Sequence, residues 1–196
     1  MHDDKVRLKR WARWVGTFIG FPLAGVTARA VAGNIDSASA ALIGGAAGGV
    51  VLGAAQVFIG GLPPEDRARW IGGTAAGLAI GLTAGAVTVG YQTDVASLVV
   101  MGAFSGAGVG LAQALSVPMC IRDRALWTVA TPALWAGGWA ITSQVIVDAN
   151  RQHAVFGSSG ALAVSLLAGL LVAFRARAPQ VAALTAVHAS EDRRAA

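Results

Sequence analysis

Charge is scarce in this chain. Charged residues make up 13% of the 196 positions, about half the share usual in a soluble domain. The 25 that exist gather at a few places. Seven lie between Asp3 and Arg13, four between Glu65 and Arg69, three between Arg122 and Arg124, and four between Glu191 and Arg194. The shortage excludes an ordinary water-soluble enzyme, and 55% hydrophobic residues exclude a disordered chain. Cysteine is almost absent, so Cys120 has no internal disulfide partner, and no Cys/His spacing offers a metal site. No Gly-Lys pair occurs, which removes a Walker A loop despite 26 glycines. No metal and no cofactor is expected. Nor does any Asp, Glu or Lys fall in the middle of a long apolar run. Proton-coupled transport commonly uses such a carboxylate, so that mechanism is disfavoured.

Between the charged clusters lie apolar runs, and the mean hydropathy is +0.62. A span needs about 20 mostly apolar residues. Open strands cannot cross lipid, and the runs do not alternate as barrel strands do. The reading is an all-α integral membrane protein with six transmembrane helices: 14–32, 37–59, 70–89, 95–117, 126–147 and 154–174. Lys and Arg set the orientation. Thirteen lie in the N-terminal segment, the connections near Glu65 and Arg122, and the tail, against Arg29 and Arg151 on the other side. Both termini are therefore expected in the cytoplasm, in a bacterial plasma membrane. The net charge of +5 belongs to this asymmetry, and no nucleic-acid partner is expected. A signal-peptide reading, with cleavage after Ala30-Val31-Ala32, competes for the first span.

An internal repeat argues against that cleavage. Arg13-Trp14, Arg69-Trp70 and Leu126-Trp127 open three segments, with Trp spacings of 56 and 57. Gly53-Ala54-Ala55-Gln56 matches Gly110-Leu111-Ala112-Gln113. The expected organisation is a basic segment 1–13, hairpins 14–60, 61–117 and 118–177, and a tail 178–196. Three hairpins entering from one side make parallel repeats, arranged as a pseudo-threefold bundle. Glycines recur every four residues at 45/49/53, 73/77/81/85 and 102/106/110. Such rows let helix backbones approach closely, which lipid itself does not drive.

Few side chains could carry chemistry. Trp14, Trp70 and Trp127, with Arg13 and Arg69, are expected as interfacial anchors. Gln56 and Gln113 are the deepest repeated polar groups, candidates for interhelical bonding or for a polar ring around a solute. Trp135 and Trp139 lie one turn apart near Pro132 and could line a groove. Asp36 and Asp94 read as helix N-caps. Asp94, Asp148 and His153 are the weak catalytic candidates, the last two as an acid–base pair. Arg29 is expected to snorkel or to pair with Asp36.

The Trp-led segments Trp70–Gly81 and Trp127–Gly138, with G-x-A-Q ending at Gln56 and Gln113, resemble a loose group of uncharacterised bacterial Gly/Ala-rich multi-span membrane proteins. The resemblance implies a polytopic membrane fold and carries no functional residue over. Three roles follow from the residues. The first is a non-catalytic polytopic subunit or scaffold of a larger membrane complex. The alternative is a small-solute channel or facilitator. The third is a membrane-embedded enzyme acting on a lipid or isoprenoid. Catalysis is the less favoured class. Membrane lipids are expected partners, with protein subunits or further copies of the chain beside them.

Overall fold

The computed structural model describes residues 2–145 and 158–174. Among them the chain is all-helical, without strands. Helix α1 spans His2–Gly16, and a 3-10 turn at Thr17–Ile19 joins it to α2, Gly20–Ala32. Then come α3 (Ala38–Phe58), α4 (Pro64–Thr88), α5 (Val95–Ser116), α6 (Ile121–Val145) and α7 (Ser158–Phe174). Gly16 and Gly20 keep right-handed helical angles, so α1 and α2 run as one long rod. Four helical segments are long and apolar enough to cross a membrane: Asp3–Ala32, α3, α4 and α5. α6 has 25 residues but carries Arg122, Asp123 and Arg124 directly after its first residue and contains Pro132. α7 is shorter, at 17 residues. Neither joins the four.

Helix starts lie further out than the apolar runs suggest. α4 begins at Pro64, whose missing N–H suits a first helical position. Glu65 and Asp66 in its first turn complement the helix dipole. The basic segment before Trp14 is itself helical. α3 is capped by Ser37, whose side chain accepts from Ala40 N at 3.2 Å. The N-cap expectation for Asp36 is thus corrected by one residue. Asp94 does cap α5, accepting from Ala96 N at 3.0 Å and Ser97 N at 3.2 Å.

Consecutive helices pack side by side from α2 to α7, and α7 returns to pack on α1. Trp11 fastens that closure, its indole Nε1 donating to Leu166 O at 3.1 Å. α7 makes few contacts with α2. The glycines allow the close crossings. A Cβ on Gly49 would stand 2.6 Å from Ala75 Cα, and one on Gly45 2.8 Å from Ala79 Cα, so α3 lies directly on the α4 backbone. In α5, a Cβ on Gly106 would meet Thr131 O at 2.7 Å and Pro132 Cα at 2.9 Å, so α6 is held the same way. At Gly61 the backbone itself requires glycine, with φ +80 and the Arg13 guanidinium against the missing side chain.

The core has three tiers. One end, called the lower end, holds Trp14, Val57, Trp70, Ala114 and Trp127, beside the short connections 59–63 and 117–120. The middle holds Ala24, Leu52, Val109, Trp135 and Val164. Near the upper connections 33–37 and 89–94 lie Ala41, Ala86, Leu98 and Met101.

Candidate functional site

The lower tier is built from aromatic rings. Trp14 meets Trp127 at a centroid distance of 5.5 Å and Trp70 at 6.2 Å, both nearly edge-on. Trp70 and Trp127 are 6.2 Å apart, closing a triangle. Edge-to-face contacts at this range are favourable beyond the area they bury. All three rings are enclosed, at 4%, 2% and 8% exposure. A ring so enclosed cannot present its face to lipid headgroups, so the anchor expectation for Trp14, Trp70 and Trp127 is corrected. Their indoles point inward because each of two has a polar partner there. Of the expected arginine anchors, Arg13 donates through Nε to Ile59 O at 3.1 Å, and Arg69 pairs with Asp66 at 3.1 Å.

Gln56 and Gln113 provide those partners. An indole N–H can only donate, so it fixes which end of each amide faces it. Trp70 Nε1 donates to Gln56 Oε1 at 2.9 Å, and Trp127 Nε1 to Gln113 Oε1 at 3.2 Å. Each pair is separated by 14 residues. Gln113 Nε2 then donates to Gln56 Oε1 at 2.7 Å and to Thr74 Oγ1 at 2.8 Å. Thr74 Oγ1 donates onward to Trp70 O at 2.8 Å. Five residues from α3, α4, α5 and α6 are thereby joined in one buried hydrogen-bonded layer. A typical bond of this kind contributes about 1 kcal/mol, but stranding a buried partner costs about 1–3 kcal/mol. The layer therefore resists partial opening.

Above this layer lies a void of about 20 Å³, bordered by Thr17, Gln56, Gln113, Thr131 and Trp135. Phe21 and Trp135 form its roof, with centroids 5.4 Å apart. Above that pair opens a chamber of about 460 Å³ that reaches the upper connections. Glycine and alanine make much of its wall, including Gly44, Gly48, Gly138, Gly160 and Ala161. Trp135 and Trp139 both line it, so the two indoles singled out from their spacing face one space. Its charged lining residues, Arg29 and Asp36, sit at or beside the 33–37 connection. Arg29 hydrogen-bonds Asn34 rather than Asp36.

One polar atom in the chamber stands out. Ser105 Oγ is buried, at 1% exposure, and has no hydrogen-bond partner. Seven other helix hydroxyls return to the carbonyl one turn back, those of Thr27, Thr74, Thr83, Thr88, Ser116, Thr131 and Ser143. The hydroxyl of Ser105 does not take that bond. Leaving it unmade costs about 1–3 kcal/mol. Spacing gave no signal for Ser105, because a single serine in a glycine-rich run reads as a small packing residue.

The catalytic candidates do not assemble. Asp94 is engaged as a cap, with Oδ2 accepting from Ser97 Oγ at 2.5 Å. The hydrogen bonds from Ser97 and Ala96 hold its carboxyl below the usual carboxylate range. It therefore stays ionised and is poorly suited to donate a proton. It does not line the chamber, although Thr93 does. Asp148 and His153 lie outside the described residues. Among the described residues no cluster of metal-ligating side chains exists. The chain matches no family model, no curated protein and no solved structure.

Proposed function

We propose that this protein is a non-catalytic membrane facilitator for small uncharged solutes. One observation carries the reading. Chamber, void and Trp–Gln layer are stacked along the inside of one ring of helices, so a single axis holds both an entrance and a closure. An ion would have to shed its hydration in a chamber whose depths, among the described residues, offer no opposite charge, a cost too large for passage. A neutral solute meets no such barrier.

In this reading α6 and α7 complete a set of six spans in three parallel hairpins. The matched Gln–Trp pairs, each 14 residues apart, support the repeat. The thirteen-to-two bias of Lys and Arg supports a bacterial plasma membrane with the Trp–Gln layer toward the cytoplasm and the chamber toward the outside. A scaffold would need a packing face left over for a partner. The four-residue glycine rows are instead occupied within the bundle, at Gly45 and Gly49 by α4, at Gly77 and Gly81 by α5, and at Gly106 and Gly110 by α6.

Flux into proteoliposomes tests the proposal, with neutral solutes from glycerol to phenol. The protein should carry at least one of them faster than protein-free liposomes do. Gln113→Ala, which removes the centre of the closing layer, should raise that rate further. Rates equal to protein-free liposomes for both proteins across the series would refute the facilitator.

A further inference from the structure

The chamber carries enough chemistry to name what it binds. Its deepest hydrogen-bonding group without a partner is the Ser105 hydroxyl. Val95 starts α5, and ten residues further in Ser105 lies about 15 Å along the axis. That is near the middle of a helix long and apolar enough to cross a membrane. A hydroxyl both donates and accepts, so it pairs with an alcohol or a carbonyl alike. The surrounding wall is aromatic and apolar, with Phe21, Trp135 and Trp139 beside Leu52 and Met101. Indoles favour contact with other rings, stacked or edge-on. Among the described residues the charged groups lining the chamber are Arg29 and Asp36 at the rim, so an ionised ligand would find none of their charge at depth. A volume of about 460 Å³ falls in the range of small-molecule sites.

We infer that the chamber binds an uncharged ring compound bearing one hydroxyl or carbonyl group, with that oxygen on Ser105 and the ring against Trp135 and Trp139. The inference rests on the chamber being the solute's binding place in the proposed function. It is tested by equilibrium binding without any gradient. Absent flux would therefore overturn the facilitator, and absent binding would overturn this assignment.

The experiment uses the full chain in lipid nanodiscs, with naphthol and methylnaphthalene as probes and empty nanodiscs as the blank. The two probes match in ring and size and differ in the hydroxyl. Naphthol should bind saturably and about tenfold more tightly than methylnaphthalene, the ratio one buried hydrogen bond supplies. Ser105→Ala removes no existing bond, so the fold should persist. It should bring the two affinities within about twofold while methylnaphthalene keeps its own. Ser105→Thr should retain the preference. Ala28→Trp, which places an indole in the chamber, should abolish binding of both probes. Equal affinities in the parent protein, a preference that survives Ser105→Ala, or binding that survives Ala28→Trp would each overturn the assignment.

Discussion

The two halves of this bundle use the same helices for opposite ends. In the lower half the axis is filled by three packed indoles and two amides, with Trp70 and Trp127 bonded to the amides. In the upper half the same rods present Gly44, Gly48, Gly138 and Ala161 to the axis, and a chamber remains. Glycine draws neighbouring helices together sideways, as Gly49 does against Ala75 and Gly106 against Thr131. Drawing them together does not fill the middle. Filling requires long side chains aimed inward, and the sequence provides these mainly at one end. α7 reinforces the asymmetry, packing on α1 through Trp11 while touching α2 little. Sealing and opening are thus decided by which residues meet at the axis.

The comparison can be broken most forcefully at the sideways contacts that both halves share. Gly49→Leu and Gly106→Leu would drive side chains into the backbones of α4 and α6. Each should cost about 3 kcal/mol or more, read as a lower thermal midpoint in detergent and loss of a single species on gel filtration. Gly72→Ala and Gly137→Ala, with nothing within 4 Å of the added carbon, should stay within about 0.5 kcal/mol of the parent.

Next comes the seal. Gln113→Leu leaves Trp127 Nε1 without its acceptor and takes a donor from Gln56 and Thr74. A loss of about 1–3 kcal/mol is expected, with tryptophan emission shifted toward that of hydrated indole. Ser105→Ala in the upper half should be neutral or slightly stabilising, since it removes a hydroxyl without a partner. A large loss there, with none at Gln113, would invert the comparison.

The smallest effect belongs to Asp94 at the upper rim. Its folded-state carboxyl titrates lower than in the unfolded chain. Its contribution is therefore present above the unfolded value and is lost as pH falls through the folded one. Amide exchange at the start of α5 should quicken below about pH 4. Asp94→Asn should show no such pH dependence, because asparagine caps without titrating.

Much of the fold is legible in the residues. Apolar run lengths and charge clusters mark helices, and four of those helices have the length and composition of spans. The boundaries are not legible. Charged first turns such as Pro64–Arg69 look like loop in a hydropathy reading and are helix. The inward turn of Trp14, Trp70 and Trp127 is not legible for a related reason. Position beside arginine indicates depth, whereas direction depends on which partner waits inside, and Gln56 and Gln113 are distant in sequence from one another. Trp135 and Trp139 were visible as a pair from their one-turn spacing. Ser105 was invisible, since its distinction is a bond not made.

The central claim is that the ring is open above and sealed below. Thiol labelling tests it most directly, in a Cys120→Ser background that removes the exposed native cysteine. Ser105→Cys places a thiol in the chamber, and Val57→Cys places one within the tryptophan layer. A small uncharged thiol reagent should modify the first and leave the second unreacted. A modified Val57→Cys beside an unreacted Ser105→Cys would contradict the account.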